Sequence, residues 1–477
     1  MATPIFEFSS DAYDKPLFTV VELRGTEAIS TPYEFELVIK APAETPVDLQ
    51  KLLVSAITLT ITYESKSRFI HGIVSAVQAE QVAATYQYFR IWLSPPVWRL
   101  AMENRCAVYL DKTYPEIIEE VLNRANLAAG KDYDLSGLIG KYAKREFTCQ
   151  YIESDLAFIM RLMEHEGIYF HFEQTAKQCK LSVADGKDYL SVPDLDTVTF
   201  SDPGLTKDYE SIMRLERCLR NTSREVTVVD YNYRQPSLNV TGSTAVNGPQ
   251  GDTAFGIQWQ YDENVLSPEE ATHIATIRAE EAACWATTFH GVGAVPEFRG
   301  GFTFKVQGHP DKTCNTNYLL TEIRHSARNL DRAWSISSYA DAELASAEAY
   351  YSNRFVAVSA DAQYRPRRLT AKPRIAGYLN GHVYSDVEDR RAPIDSLGRY
   401  RVVLPFVNGD DPTQKVTCWM RMSHPSAGPG RGSYTMLRSG AEVVLAFFDG
   451  DPDRPFIIGT THNGASRMLS AVEGAQL

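Results

Sequence analysis

Apolar and polar residues alternate through most of the chain, and this pattern predicts β-strands. In the stretch AITLTI, the residues Ile57, Leu59 and Ile61 fall on one side. The runs FIHGIVSAV, YQYFRIWL and, further on, FTFKV and YLLTEIRHSA are rich in aromatic and β-branched residues. Strands of this kind bury one face of a sheet and leave the other polar, so we expect a mainly β protein.

Three segments carry helix signals instead. Thr113-Tyr-Pro-Glu116 is a capping-box pattern before IIEEVLNRANL. The run ESDLAFIMRLMEHEG has apolar residues at helical spacing, and Gly167 suits its C-terminal end. Ser267-Pro-Glu-Glu270 is a second capping box, with proline at the first helical position. The chain therefore reads as mainly β with α insertions, an α+β protein.

The strand spacing also hints at an internal repeat. Strands begin near Ile57, Phe69 and Tyr86, and a similar series begins near Phe302, Tyr318 and Trp334. The spacing indicates a duplicated β-domain, at about residues 1–100 and 210–345, with helical inserts within a region spanning 1–375. A chance match of spacing is the alternative.

The C-terminal part has a different character. Residues 361–375, DAQYRPRRLTAKPRI, carry two prolines and five basic residues, which is typical of a linker or an extended surface strand. Five strand candidates follow: GYLNGHVYS, GRYRVVLPF, VTCWMRM, GAEVVLAFF and RPFIIGT. Five short strands in so few residues favour a small OB-fold barrel at 376–465, followed by a tail at 466–477.

Net charge, cysteine pattern and targeting signals narrow the range of expected functions. The formal net charge of −12 provides no general attraction for nucleic acid or an anionic membrane. The seven cysteines are scattered and form no CxxC pair, which predicts reduced thiols and a protein made in the cytoplasm. Neither a signal peptide nor an apolar run long enough to span a bilayer is recognisable, so any export would follow a Sec-independent route.

One acidic loop invites a chemical interpretation. In FFDGDPDRPFIIG, the alternating Asp449, Asp451 and Asp453 resemble the start of a calcium loop. A calcium loop would need glycine at its sixth position and glutamate at its twelfth, where this chain has Arg454 and Thr460. We therefore predict turn geometry rather than a metal site. The predicted structural-turn residues are Gly398, Gly440, Asp449, Gly450, Asp451, Pro452 and Asp453.

A histidine-rich corner fails a similar test. In MEHEGIYFHFEQ, a zinc-binding HExxH helix would need histidine four positions after His165, where Tyr169 stands. No GxSxG elbow or nucleophile motif is present either. We predict no catalytic residue, no cofactor and no metal ligand.

Several segments resemble VgrG proteins, the spikes of bacterial type VI secretion systems. They are CQYIESDLAFIMRLMEHEGIYFHFE, FIHGIVSAV, NYLLTEIRHSA, DSLGRYRVVLPF, WMRMSHPSAG and GAEVVLAFFDGDPDRPFIIG, and they occur in the family's order. The resemblance, which extends to the hubs of contractile phage tails, implies a homotrimer. Two barrels in each of three chains would form a pseudo-sixfold ring that sits on the hexameric Hcp tube and contacts baseplate proteins. The OB-fold would form the neck.

The resemblance also implies assembly in the bacterial cytoplasm, injection into target cells and delivery of effectors. An effector or tip protein would bind through a β-helix needle, but only 13 residues follow Gly464 here, ASRMLSAVEGAQL, and they show no needle repeat. A truncated chain and a naturally short member are both open.

Three other functions compete. They are the hub of a contractile phage or bacteriocin tail, a cell-wall hydrolase or toxin, and an OB-type binder of nucleic acid. Aromatic residues in the OB-like unit favour the last of these, although the core of a small barrel needs aromatic residues too.

Overall fold

The computed structural model describes residues 4–13, 17–82, 85–195, 197–201, 210–248, 254–261, 263–329, 350–386, 391–406 and 417–464. Its first part holds β1 (Ile5–Ser10), β2 (Thr19–Ala28), β3 (Thr31–Pro42), α1 (Leu49–Leu52), β4 (Ala56–Tyr63), β5 (Lys66–Val82) and β6 (Tyr86–Ser94). These strands lie in one curled sheet in the order β1-β4-β5-β6-β3-β2.

An α+β insertion follows this sheet. It consists of β7 (Asn104–Lys112), α2 (Tyr114–Arg124), β8 (Tyr133–Gly137), β9 (Arg145–Ser154), α3 (Asp155–Glu166), β10 (Tyr169–Gln174) and β11 (Cys179–Ala184). Strands β7 and β9 form a two-stranded ribbon, and β10, β11 and β8 form a small sheet. The apolar faces of α2 and α3 share one core with the first sheet, because Ile117, Leu122 and Phe158 pack in the same cluster as Leu37 and Ile91.

The next part holds β12 (Thr197–Phe200), β13 (Ser211–Leu219), β14 (Glu225–Asp230), β15 (Val240–Ala245), β16 (Ile257–Tyr261), α4 (Pro268–Trp285), β17 (Thr287–Gly293), β18 (Thr303–Gln307), β19 (Asn317–Arg328) and β20 (Tyr350–Ser359). Six of these strands pair in the closed circuit β12-β18-β19-β20-β17-β13. Strands β15, β14 and β16 form a separate three-stranded sheet, one face of which packs on α4.

The two six-stranded units have the same strand order. Numbered along the chain within each unit, both run first, fourth, fifth, sixth, third, second, and β2 of the first unit pairs with β19 of the second. The fold class, two related β-barrels with helical inserts, is confirmed. The second circuit uses strands on both sides of the predicted 210–345 span, because β12 precedes it and β20 follows it. The predicted strand at Trp334 lies outside the described residues.

The two units differ in how they close. In the second unit β12 pairs in parallel with both β13 and β18. In the first unit β1 pairs antiparallel with β4, and its other side meets the start of β2 through side chains. There the rings of Phe8 and Phe18 pack edge to face, with centroids 5.5 Å apart.

The predicted helix ends are mostly as expected. Thr113 caps α2 with a reciprocal capping box, and Gly167 ends α3 with a φ of 68°. At α4 the Ser267 hydroxyl accepts a hydrogen bond from the Glu270 amide, at 3.2 Å. The Glu270 carboxylate, however, accepts from the amide of Leu266 and not from that of Ser267, so the second box is incomplete.

The C-terminal unit is a closed five-stranded barrel. The unit contains five barrel strands and two short additional strands. In chain order they are β21 (Leu379–Val383), β22 (Tyr400–Val403), β23 (Thr417–Met422), β24 (Ala427–Gly428), β25 (Arg431–Gly432), β26 (Glu442–Phe447) and β27 (Pro455–Thr461). The barrel runs β21-β22-β23-β27-β26, and β24 and β25 form a small hairpin beside it. Each of the five runs read from the sequence supplies one barrel strand.

All seven cysteines are described, and none of them is disulfide-bonded. Among the described residues, no helix has the length and apolar character that a membrane crossing requires.

Candidate functional site at the junction with the C-terminal barrel

The acidic loop connects β26 to β27 at the end of the barrel that faces the insertion. Phe447 pairs with Pro455, and the loop between them is closed by backbone hydrogen bonds from the amides of Asp451 and Arg454. Asp449 and Gly450 have φ angles of 51° and 69°, both in the left-handed region that a tight turn requires.

The three aspartates of the loop have different environments. Asp449 is exposed, whereas Asp451 and Asp453 are buried. The Lys372 ammonium lies 2.7 Å from a carboxylate oxygen of each buried aspartate. A segment that reads as a linker therefore supplies the cation that neutralises the loop.

Asp453 also contacts the insertion directly. Its Oδ1 accepts a hydrogen bond from the backbone amide of Cys149 in β9, at 2.6 Å. The carbonyl of Cys149 accepts from the Arg161 guanidinium at 2.9 Å, and Arg161 forms a bidentate pair with Glu153. The loop, β9 and α3 are thus joined by one hydrogen-bonded network, and charge-assisted bonds of this kind are among the strongest in proteins.

The ionisation of this cluster follows from its geometry. Burial opposes the charge on Asp453, but the positive charges of Lys372 and Arg161 outweigh burial and hold the pKa of the Asp453 carboxyl below its ordinary value. Burial, together with the charge on Asp453, raises the pKa of Asp451. Burial likewise opposes the charge on Lys372, yet Asp453 and Asp451 raise the pKa of that ammonium.

Residues 361–375 have no regular secondary structure, but polar contacts fix them to the insertion and to α4. The Glu164 carboxylate of α3 accepts hydrogen bonds from the amides of Leu369 and Thr370, at 3.0 and 2.9 Å. The indole of Trp285 in α4 donates to the carbonyl of Arg365 at 3.0 Å. Residues 361–375, expected to be a linker or an extended surface strand, are therefore fixed against α3 and α4, and we call them the strap.

The ribbon β7–β9 makes an apolar contact with the C-terminal barrel at the same junction. Val108, Leu110, Phe147 and Tyr151 pack against the core of the C-terminal barrel. The rings of Tyr151 and Phe406 meet with centroids 5.8 Å apart. Burial of apolar surface thus adds to the charged contacts at the same junction.

A cavity of about 570 Å³ opens between the ribbon, β14 and the barrel. Arg399 on its wall donates to Glu146 at 2.9 Å and to the Tyr233 hydroxyl at 3.0 Å. Arg421 lies over the Tyr233 ring at 3.9 Å, in a cation–π contact. Even the open part of the junction is therefore bridged by residues from both sides.

The structure brings together five of the seven predicted turn residues, Asp449 to Asp453. Gly440 precedes β26 with a φ of 78°, and Gly398 precedes β22 with a φ of 70°. Sequence reasoning missed Lys372, Arg161 and Cys149 as partners of the loop. The only available signal was the basic composition of residues 361–375, which does not indicate which base meets which acid.

The histidine corner holds a charge network instead of a metal centre. His165 lies 3.4 Å from both Glu166 and Glu263, and Arg145 lies 3.4 Å from Glu166. His171 is buried in β10, away from this group. Within the described residues no cluster of three or more metal-ligating side chains occurs.

Comparison with known families identifies the chain. A sequence model of the phage tail baseplate hub (GPD) family matches residues 26–330, which is well over half of the chain. The chain belongs to this family. A second model, of the type VI secretion system/phage-baseplate injector OB domain, matches residues 385–462 and therefore covers the C-terminal barrel.

Curated relatives include spike proteins and a toxin. The type VI secretion system spike protein VgrG4b of Pseudomonas aeruginosa is 27% identical over 452 residues, which cover 94% of this chain and 55% of the relative. The actin cross-linking toxin VgrG1 of Vibrio cholerae is 25% identical over 403 residues, covering 83% of this chain and 35% of the toxin. The chain thus spans about half the length or less of these two relatives.

A solved structure shares the fold. An Escherichia coli component of the type VI secretion system, described as structurally similar to bacteriophage tail proteins, superimposes with a TM-score of 0.69 at 22% identity. The match covers 95% of this chain and all of that one. The predicted VgrG-type fold, two barrels followed by an OB-fold, is confirmed.

Proposed function

We propose that this chain is a structural hub and neck of a type VI secretion system spike, which acts as a homotrimer on the end of the Hcp tube. The observation that carries the proposal is the repeated strand order of the two barrels. Three chains with two such barrels each would place six similar units around one axis, which suits a hexameric tube. Baseplate proteins would contact the outer surface of this ring.

In this proposal residues 1–375 form the hub and 376–465 form the neck. The loop from Asp449 to Asp453, with Gly398 and Gly440, provides the turns that hold the neck rigid. The hydrogen-bonded network and the apolar contacts at the junction support this role, because a spike must transmit axial force without bending between hub and neck. The protein would assemble in the bacterial cytoplasm, leave by contractile injection and deliver effectors carried with it.

The proposed role is structural and not enzymatic. The VgrG toxin among the relatives has most of its length outside the region shared with this chain, so its activity does not transfer with the match. Release of peptidoglycan fragments by the purified chain would contradict this part of the proposal. Salt-dependent binding of single-stranded DNA would favour the nucleic-acid alternative instead.

One experiment addresses the assembly directly. The purified chain is imaged by negative-stain electron microscopy, alone and with Hcp rings from the same organism. We expect threefold particles of two stacked layers, a broad ring and a narrow neck, that cap Hcp stacks. Particles without threefold symmetry, or a failure to bind Hcp, would contradict the proposal.

A second candidate is the hub of a contractile phage or bacteriocin tail, since the matching family is named for phage tails. Deletion of the gene separates the two. Loss of Hcp from the culture medium supports the secretion system, whereas unchanged Hcp release together with the loss of sedimentable tails supports a phage or bacteriocin.

A further inference from the structure

The small sheet β15-β14-β16 carries a row of exposed apolar side chains at its edge. Phe255 lies two residues before β16, and Ile257, Trp259 and Tyr261 share one face of that strand because side chains alternate along it. In chain order the four residues are 86%, 42%, 67% and 66% exposed. We call these four residues the aromatic ladder. None of its four residues lines the junction cavity described above.

The central strand of the same sheet is packed on its opposite face, where Gln258 of β16 stays exposed. Val226 and Val228 of β14, which pair with Gln258 and Gln260 of the edge strand, are buried against α4. The core of this unit is therefore complete without the ladder. The exposed rings are surplus to the packing of the single chain.

The ladder is held rigidly. Strand β16 pairs in parallel with β14 along its whole length. The Phe255 amide donates to the carbonyl of Thr222 at 3.1 Å, and the Arg224 amide donates to the carbonyl of Gly256 at 2.9 Å. A surface fixed in this way loses little conformational entropy when a partner covers it.

Its size is in the range of apolar surface patches that often have a function. The three rings together expose roughly 450 Å², which is comparable to the largest apolar patch found on a typical monomer. A stable interface buries about 800 Å² on each partner. The ladder and the strands beside it would supply more than half of that area.

Its charge favours another copy of the same chain. Each chain carries a net charge of −12, so two copies repel each other wherever their acidic surfaces approach. The strand IQWQY has no charged residue, and its neighbours across the sheet, the buried Thr227 and the exposed Ser243, are neutral. Glu225, at one end, is the exception, and its carboxylate accepts a hydrogen bond from the Thr227 hydroxyl.

We propose that the aromatic ladder is a contact surface between neighbouring copies of this chain. This inference rests on the proposed homotrimer and assigns one of its interfaces. In a ring of three, each ladder meets a different surface of the next chain, because cyclic contacts between copies are heterologous. The free edge of β16 adds backbone donors and acceptors to the same contact.

The test measures the concentration at which half of the full-length chains are assembled, by sedimentation equilibrium. Trp259→Ser and Tyr261→Ser each remove one ring of the ladder. Tyr378→Ser is the matched control, since Tyr378 is 70% exposed and stands before the first strand of the C-terminal barrel. We expect the half-assembly concentration to rise at least about 30-fold for Trp259→Ser and by less than about 2-fold for the control.

Hydrogen exchange on the wild-type chain provides an independent readout that needs no variant. The amides of Ile257–Tyr261 should exchange more slowly above the half-assembly concentration than below it. If the wild type forms trimers but the ladder variants assemble like the control, or if these amides stay unprotected, the inference is wrong while the homotrimer stands. If the wild type remains monomeric at every concentration, the homotrimer itself is wrong and the ladder loses its proposed occupant.

Discussion

The acidic loop and the aromatic ladder depart from the usual distribution of side chains in opposite senses. The loop buries Asp451 and Asp453, whereas the ladder leaves Phe255, Trp259 and Tyr261 in solvent. The buried acids have their partner, Lys372, within the same chain. For the exposed rings of the ladder, the proposed partner is a second chain. The buried charges therefore belong to a contact within the chain. The exposed apolar row belongs, in our proposal, to a contact between chains.

The largest expected effect comes from removing the cation of the loop. Lys372→Met leaves two buried carboxylates without their counter-charge, so we expect a loss of about 3 kcal/mol in the free energy of unfolding. Urea unfolding followed by circular dichroism measures this loss. Faster proteolysis within residues 361–375 would show that the strap has detached.

Arg374→Met is the matched control for that substitution. Arg374 comes from the same segment and pairs with Asp449 at 3.0 Å, but both side chains of that pair are exposed. We expect a change below about 1 kcal/mol, as for other surface ion pairs. If Lys372→Met and Arg374→Met lowered the free energy of unfolding equally, the burial of Asp451 and Asp453 would not explain the effect.

A pH series extends the comparison to a second buried acid, at the seam between the two barrels. Burial opposes the charge on Glu27, but Arg68 and His325 lower the pKa of Glu27 from 4.5 to about 2. Because the folded pKa is the lower one, the ionised carboxylate contributes stability that is fully present above pH 4.5 and is lost as the pH falls towards 2. The loss is on the order of 3 kcal/mol.

The check is the slope of the unfolding free energy between pH 5 and pH 3. Glu27→Gln, which cannot titrate, should give a shallower slope than the wild type in this window. Parallel slopes would mean that other carboxylates account for the acid sensitivity of the chain.

A smaller effect tests the geometry of the loop. Gly450→Ala places a side chain at a φ of 69° and puts its Cβ 3.2 Å from the carbonyl oxygen of Ile375, so we expect a loss of about 2 kcal/mol. Gly440→Ala meets a similar φ but has open space around its Cβ, so a loss of about 1 kcal/mol is expected. Thermal unfolding of both variants compares the two losses.

The smallest effect belongs to the ladder in the single chain. Trp259→Ser should change the free energy of unfolding by less than about 0.5 kcal/mol under monomeric conditions. An exposed side chain that makes no buried contact contributes little to stability. Urea unfolding at low protein concentration measures it. A loss similar to that of Lys372→Met would show that the ring belongs to the fold and not to an interface.

Local pattern was sufficient for much of the fold. Alternation located the five strands of the C-terminal barrel, and Thr113 and Gly167 marked helix ends, because these signals act over a few residues. The spacing of strand starts also indicated a duplicated β-domain. The residues at positions 454 and 460 were enough to argue against a calcium loop at the aspartates.

Tertiary structure decided which distant residues meet. Lys372 and Asp451 are 79 positions apart in the chain, and no short-range pattern selects this lysine from the five basic residues of 361–375. The alternation of Phe255, Ile257, Trp259 and Tyr261 reads like a strand with a buried face, yet α4 covers the other face of that sheet. Sequence determined the elements because propensity and periodicity are local. The three-dimensional arrangement alone determined which charges are buried and which rings are exposed, because both depend on how far-separated segments pack.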